Sequence, residues 1–533
     1  MAQVLPTGMR VAEQAGDGQP IARVPTSIAA FVGRALRGPV NRPVVVTSFA
    51  DYQATFGDLW QPSTLSYAIE QYFENGGQTA IVVRVINGGR APTLTLPGKG
   101  RPLRLIAQNP GTREYLRAAV DYDGIPREDT TSYNLTLQRL RAAGSEHVED
   151  QEIYRRVSAL PDSSRHVEAL LADSALARVH GRAPAERPAA TLLDGGYVAS
   201  NPDGHDGRQL TDYDLIGSAV ERTGLFALAD VEDFNFLCLP PLSRSQPVGT
   251  SALMVAGRYC RQRNALLLMD PPAQWTSPDV AQGGVRDLPV RGEDAVMFYP
   301  KILAYDRLRA RFEPFAPSAA AAGMLARLDR QQPVRGPGDD QESALRPGLR
   351  PALSIDDAHR ERLAALGINV LQASRPTARI GLRTLGGALV SHPDWCHLST
   401  KRFALFLATS IERGTRWCLF HRSEPALWAK LARQVSDFFH GLEAEGRFSG
   451  APPGPAWFVL CDARLNTPGA PGVRLLYGFA ARREGDYHAY VVSHVGGEDV
   501  VKPVTLNRLH AVGLPLPAAP PVALDTLLGT LRR

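Results

Sequence analysis

The chain has 533 residues, of which 44% are hydrophobic and 21% are charged, and its formal net charge is +5 at pH 7. This composition is ordinary for a soluble globular protein, and the length is enough for roughly two to four domains. The small net charge, with arginines scattered among acids, excludes the basic stripe of a nucleic-acid-binding protein.

The sequence predicts assembly in the cytoplasm without insertion into a membrane. The first six residues lack the apolar core of a signal peptide, and the longest apolar stretch, residues 403–411, is too short to span a bilayer. The five cysteines are widely spaced, odd in number and mostly embedded in apolar runs. This pattern favours buried thiols in a reducing compartment over disulfides or a zinc site.

Residues 1–25 are rich in glycine and proline and poor in apolar side chains, so we expect an N-terminal arm that is not part of a core. From Thr26 onward, short apolar strands alternate with helices. Ser63 is expected to cap a helix, and residues 80–86 form an apolar run typical of a strand that is covered on both faces.

Residues 87–190 differ from this pattern, and we interpret them as a peripheral domain inserted into the main one. Alternation at residues 103–106 and 133–137 predicts strands, whereas residues 163–179 are predicted to be helical. The α/β pattern resumes at 191–353. Its apolar strands alternate with helices, which indicates a mostly parallel sheet, and residues 331–353 are expected to be a linker or mobile loop.

Residues 365–499 are predicted to form a C-terminal α+β domain, followed by an extension at 500–533. Residues 401–413 indicate a buried helix, residues 417–420 a strand, and residues 457–462, 475–480 and 487–495 antiparallel strands. The helix after Ser423 has one apolar face, which we interpret as core. The fold class is therefore a multidomain combination of α/β and α+β units.

Several segments, taken in their order and spacing, resemble those of contractile tail sheath subunits from phage tails and phage-derived injection machines. The resemblance covers most of residues 26–86, 191–330 and 365–495. The segments that carry it are residues 26–49, Phe56-Gly57 and residues 80–85; Gly224-Leu225-Phe226-Ala227-Leu228 with residues 234–240; Leu268-Met269-Asp270-Pro271-Pro272; and residues 367–370, Arg383-Thr384-Leu385, Asp394-Trp395, residues 411–417 and residues 424–428.

Both ends of the chain depart from that family. The family usually opens with a Pro-Gly-Val-aromatic strand, where this chain has only residues 6–11, and it commonly ends soon after its last strand, where this chain continues to Arg533. The altered tail suggests a specialised sheath paralogue as a hypothesis.

The resemblance implies a structural protein and not an enzyme. Such a subunit polymerises helically around an inner tube and contracts, without nucleotide hydrolysis, to drive the tube through a target envelope. The implied partners are further copies or sheath paralogues, the inner tube protein, and baseplate and terminator or collar proteins, with no nucleic acid. No cofactor is expected, and the sequence has no Gly-x-x-x-x-Gly-Lys-Ser/Thr phosphate loop.

In such sheaths, terminal arms add strands to the sheets of neighbouring subunits. The C-terminal domain is then expected to face the tube, and the inserted domain to lie outside. Candidate tube-facing residues occupy the polar face of the helix after Ser423: Lys430, Arg433, Gln434 and Asp437. Candidate arm residues are Val4, Val11, Ile21, Val24, Val500, Val504 and Leu506.

Two alternatives stay open. One is a soluble α/β enzyme with a site near Asp270, which follows a predicted parallel strand, although the adjacent Pro271-Pro272 equally fits a rigid turn. The other is a non-contractile tail or baseplate protein. His392, Cys396 and His397 lack a second ligand pair at zinc spacing, and residues 201–207 lack the bidentate glutamate of a calcium loop, so we expect no metal.

Overall fold

The computed structural model describes residues 3–4, 19–191, 196–331, 336, 343–374, 377–380, 382–387, 390–448, 456–480, 487–495 and 498–504. The arm candidates Val11 and Leu506 lie outside the described residues, as does most of the predicted extension.

In chain order the helices are α1 (Phe49–Phe56), α2 (Leu65–Glu74), α3 (Val167–Leu170), α4 (Asp212–Ile216), α5 (Thr250–Gln262), α6 (Pro278–Gly284), α7 (Ser318–Gln331), α8 (Asp357–Ala365), α9 (Leu398–Thr415) and α10 (Pro425–Ala444). The strands are β1 (Gln3–Val4), β2 (Ala29–Gly33), β3 (Val44–Val46), β4 (Ala80–Arg84), β5 (Thr93–Leu96), β6 (Leu103–Ala107), β7 (Tyr115–Asp121), β8 (Ser132–Leu140), β9 (Val148–Ser158), β10 (Ala177–Val179), β11 (Val198–Ala199), β12 (Phe236–Cys238), β13 (Leu266–Met269), β14 (Ala295–Tyr299), β15 (Ile302–Asp306), β16 (Arg311–Phe315), β17 (Ser343–Ala344), β18 (Arg350–Pro351), β19 (Ile368–Val370), β20 (Gln372–Ser374), β21 (Thr377–Ile380), β22 (Trp457–Leu460), β23 (Val473–Ala480), β24 (Tyr487–Val495) and β25 (Glu498–Val504).

An eight-stranded sheet occupies the centre of the molecule, in the order β1-β3-β4-β2-β12-β13-β14-β19. The strands from β4 to β19 in this order are parallel, whereas β3 and β1 are antiparallel additions at one edge. Every residue of β2, β4 and β14 is buried. The predicted mixed α/β architecture is confirmed, because these short apolar runs form strands covered on both faces.

Helices cover both faces of this sheet and create two cores. Ala29 and Phe31 of β2 pack with residues of α1, α2 and α7. Ala30 and Val32 pack with residues of α5, α6 and α8, because successive side chains of a strand point to opposite faces. The Ser63 hydroxyl accepts a hydrogen bond from the Leu65 N–H at the start of α2, as expected.

Residues 91–198 carry a hydrophobic cluster of their own, between the sheets β10-β6-β5 and β11-β7-β8-β9. The predicted helix at 163–179 is wrong for most of its length: only α3 and a following 3₁₀ turn are helical, and the segment ends in β10. The segment 201–207 is held to the rest of this part by side-chain hydrogen bonds. Its Asp203 and Asp206 carboxylates accept hydrogen bonds from Thr93 and Thr112 at 2.7–2.8 Å.

The C-terminal part packs α9 and α10 with the antiparallel sheet β22-β23-β24-β25. The predicted strand at 417–420 is wrong, because Arg416–Phe420 is a 3₁₀ helix that continues directly from α9. The strand β19 joins the central sheet by pairing with β14. The predicted domain boundary at residue 365 would therefore separate β19 from the central sheet to which it belongs.

Residues 343–353 are not simply a linker, since Leu345 and Leu349 are about 1% exposed and belong to the central core. Among the described residues, no helix is both long and apolar enough to cross a membrane.

Candidate inter-subunit interface

The chain between residues 19 and 26, here called the arm root, lies along α9 and α10. Ile21 is only 6% exposed and belongs to the C-terminal core. It sits against Gly414 of α9, where an added Cβ would lie 2.8 Å from the Ile21 side chain. The Val24 N–H donates to the Ser410 hydroxyl at 3.3 Å. The expectation that residues 1–25 contribute nothing to a core is therefore wrong for Ile21.

Gln434 of α10 holds the arm root from inside. Its amide nitrogen donates to the backbone carbonyls of Gln19, at 2.6 Å, and Gly414, at 3.1 Å, while its oxygen accepts from the Trp417 indole at 3.1 Å. The side chain is buried beneath the arm root, at 7% exposure. Gln434 is thus not on the exposed polar face where the helical periodicity put it, and it does not qualify as a tube-facing residue.

The other three tube-facing candidates line a groove between α10 and the arm root, with a volume of about 410 Å³. Arg433 and Asp437 are exposed, whereas Lys430 is half-buried, with its ammonium 5.5 Å from the centre of the Trp417 ring. The described residues contain nothing that tests contact with a tube, so this role stays a prediction.

A buried ion pair fastens the arm root to the central α/β unit. Arg402 of α9 donates to Asp329 of α7, and the two side chains are 14% and 6% exposed. The Thr26 hydroxyl donates to the same Asp329 oxygen at 2.6 Å, and Arg402 also donates to the Thr26 carbonyl at 3.0 Å. The pair therefore joins three separate segments.

The remaining arm candidates lie on edge strands. Val4 of β1 pairs with Val44 at the edge of the central sheet. Val500 and Val504 belong to β25, the edge strand of the C-terminal sheet, opposite Ser493 and Ala489 of β24. Within this single chain these strands complete its own sheets, and exchange between subunits stays a prediction.

Asp270, the candidate of the enzyme alternative, is engaged at the start of α7. Its carboxylate accepts from the Ser318 N–H at 2.9 Å and from the Ser318 hydroxyl at 2.8 Å. Burial raises the pKa of Asp270 to about 6, against the opposing effect of these hydrogen bonds and of nearby Lys301. A pocket of about 520 Å³ adjoins it, between β13 and α6. The hydrogen bonds favour a structural role at this turn.

All five cysteines are free thiols in the structure. Cys238, Cys260, Cys418 and Cys461 are buried. Cys396 is half-buried, and its thiol donates to the Gly387 carbonyl at 3.2 Å. Burial raises the pKa of Cys260 and Cys461, so neither thiol is an activated nucleophile.

The fold of this chain is similar to that of known proteins. The sheath tail protein of Listeria innocua superposes with a TM-score of 0.57 at 11% identity, over 91% of this chain and 96% of that one. This chain has the tail sheath fold. The PVC sheath complex of an extracellular contractile injection system, in the contracted state, gives a TM-score of 0.50 at 14% identity over the same shares of the two chains. No family model matches the sequence.

A curated relative agrees with the fold. The tail sheath protein of Burkholderia phage BcepMu is 23% identical over 475 residues, which is 85% of this chain and 88% of the relative. The resemblance predicted from the sequence is therefore confirmed, and it extends over 88% of the tail sheath relative and 96% of the Listeria innocua sheath tail protein.

Proposed function

We propose that this chain is a structural subunit of a contractile tail sheath, which polymerises helically around an inner tube and contracts to drive the tube through a target envelope. The observation that carries the proposal is the end-to-end match: a tail sheath relative aligned over 88% of its length, together with the sheath fold. A match of this extent differs from one shared domain on unrelated machinery.

The arm root supports polymerisation through terminal arms. Ile21, Gln434 and the Arg402–Asp329 pair hold residues 19–26 against the body of the chain. Residues 1–18 then start from a fixed point. A strand donated from there to the sheet edge of another copy would join subunits by main-chain hydrogen bonds, whatever the side chains. Such head-to-tail contacts between unlike surfaces build an open helix.

The free energy for contraction would come from the sheath itself. The extended state would be kinetically trapped, and shortening would release strain without nucleotide hydrolysis. A gain of a few kcal/mol per subunit is small beside the energy of a typical interface, yet roughly hundreds of subunits would multiply it. Assembly would take place in the cytoplasm, with a tube protein, a baseplate and a terminator or collar as partners.

We assign roles to the regions on the same basis. Residues 365–499 would face the tube, with Lys430, Arg433 and Asp437 on the exposed groove of α10. Residues 87–190 would form a peripheral domain on the outside, where insertions are tolerated. The body at 26–86 and 191–353 would link the two, and residues 1–25 and 500–533 would be the terminal arms.

Imaging of purified assemblies tests the proposal. The chain is co-expressed with a candidate tube protein, treated with apyrase to remove nucleotides, and examined by negative-stain electron microscopy before and after mild urea. We expect hollow tubes of two lengths, with the short form appearing in urea without nucleotide. Rings that never shorten would favour the non-contractile alternative, and a protein that stays discrete with its tube partner would refute the proposal.

A truncation series tests the arms. Deletion of residues 1–18 leaves Ile21 and the arm root in place and removes only the two-residue edge strand β1 from the central sheet, so it should abolish the tubes while the monomer stays folded with little change in thermal midpoint. Deletion of residues 1–24 also removes Ile21 from the core and should lower that midpoint. Tubes that persist without residues 1–18 would contradict arm-mediated assembly.

A further inference from the structure

Three side chains with metal-binding atoms converge between the start of α9 and the strand β24. Asp394 lies on the 3₁₀ turn Pro393–Cys396, His392 is the residue directly before that turn, and His488 lies on β24. The Asp394 Oδ2 atom is 3.1 Å from His488 Nε2 and 3.8 Å from His392 Nδ1. One ligand atom from each residue lies within 4.8 Å of the others.

The surroundings shield this cluster on most sides. Asp394 is 3% and His488 is 6% exposed. The Trp395 ring lies 4.1 Å and the Phe479 ring 5.6 Å from the His488 ring, between centroids. The His392 side chain is 25% exposed and forms the side of the cluster that meets solvent.

We propose that His392, Asp394 and His488 bind one divalent transition-metal ion of the Zn²⁺ class. Two imidazoles and one carboxylate are a donor set that zinc prefers, and an open fourth position is filled by water. Metal–ligand distances of about 2.0–2.2 Å in a tetrahedron place the ligand atoms roughly 3.3–3.6 Å apart. The separations of 3.1 and 3.8 Å from Asp394 lie on either side of that range, and the two imidazole nitrogens, which lie within 4.8 Å of each other, would move to that spacing when the metal binds.

The Asp394 side chain lies between the two imidazoles of the cluster, His488 and His392. A metal ion would replace the His488 contact and the 3.2 Å hydrogen bond from the Asp394 N–H to His392 Nδ1.

Bound metal would have a structural consequence. It would tie the turn before α9 to β24, the strand that pairs with β25. This inference concerns the residues of the isolated chain and does not depend on polymerisation, so it can fail while the proposed function holds.

Zinc titration of the purified full-length protein tests the site. The protein is stripped with EDTA, Zn²⁺ is added, and binding is followed by calorimetry and by elemental analysis after gel filtration. We expect one zinc per chain and a higher thermal midpoint than in the stripped protein. His392→Ala, at the exposed side of the cluster, should weaken zinc binding at least 10-fold, and Asp394→Asn should weaken it without a change of side-chain size.

His359→Ala is the matched control. His359 also lies between two carboxylates, Asp356 at 2.7 Å and Asp279 at 3.1 Å, but these carboxylates are 64% and 76% exposed, unlike the buried Asp394. Zinc stoichiometry should survive this change. The proposal is overturned if the wild-type protein retains no zinc, or if His392→Ala binds zinc as tightly as the wild type. Co²⁺ substitution gives a second readout, because its visible absorption should show tetrahedral coordination in the wild type and lose it in His392→Ala.

Discussion

The ion pair between Arg402 and Asp329 offers the sharpest test of how the arm root is held. The substitution Asp329→Ala removes a 6% exposed carboxylate and leaves the Arg402 guanidinium, itself 14% exposed, without its counter-charge. It also removes the acceptor of the Thr26 hydroxyl. The change should therefore loosen the contact between α7, α9 and the arm root at once.

The expected cost follows from burial. Breaking a buried ion pair by removing one partner typically destabilises by about 3–5 kcal/mol, because an uncompensated charge stays behind. Arg402→Met should cost a similar amount, since Asp329 then loses its partner. The double variant should cost clearly less than the sum of the two, with a coupling free energy of about 2 kcal/mol or more.

Urea unfolding of the three variants, followed by tryptophan fluorescence, gives the free energies of unfolding for this double-mutant cycle. Glu146→Ala is the control, because Glu146 is 86% exposed in its pair with Arg117 and should cost less than about 1 kcal/mol. If the single effects simply add to the double effect within 0.5 kcal/mol, roughly the error of such cycles, the pair does not act as the described fastening.

Five further variants test local features of the structure. The raised pKa of Asp270 means that the folded chain binds an extra proton between about pH 4 and 6, so stability falls as pH rises through that window. Asp270→Asn should therefore flatten the profile of thermal midpoint against pH in this window, and the variant should be no less stable than the wild type at pH 8. In Gly323→Ala the new Cβ would lie 2.1 Å from a backbone oxygen of α2, so the change should lower the free energy of unfolding by about 1–3 kcal/mol. Gly441→Ala has open space around its Cβ and should stabilise α10 by up to about 1 kcal/mol, as measured by urea unfolding. Gln434→Ala should cost about 1–3 kcal/mol through its lost buried hydrogen bonds, while Arg433→Ala should leave unfolding unchanged and alter only co-sedimentation with the tube protein.

The central sheet could be predicted from the sequence because each of its core strands is a short apolar run between turn signals. Such runs are typical of strands covered on both faces, and alternation with helices indicates parallel pairing. Where an apolar run is only four residues long, periodicity does not distinguish strand from helix. The segment at 417–420 is such a case: the winding of α9 continues into it and buries Trp417 and Cys418, leaving Phe420 77% exposed.

The candidate sites depend on contacts that leave no local signal. Ile21 is one of a few scattered apolar residues in a stretch rich in glycine and proline, and its burial requires the gap that Gly414 leaves on α9. His488 stands 94 residues from Asp394, so no ligand spacing could reveal their approach. Gln434 lies on the polar stripe of its helix, and its burial depends on contacts with the arm root, Gly414 and Trp417.

These long-range contacts give the N-terminal arm a definite mechanical connection. A pull that reaches Gln19 would pass to Ile21 and Gln434, and hence to α9 and α10, whereas a pull on β1 would act on the edge of the central sheet directly. The Arg402–Asp329 pair then passes the load to α7, which lies against that sheet. In the proposed sheath, the arm would accordingly move the C-terminal part and the central α/β unit together, because the Arg402–Asp329 pair binds α9 and α7 to each other and to Thr26 of the arm root.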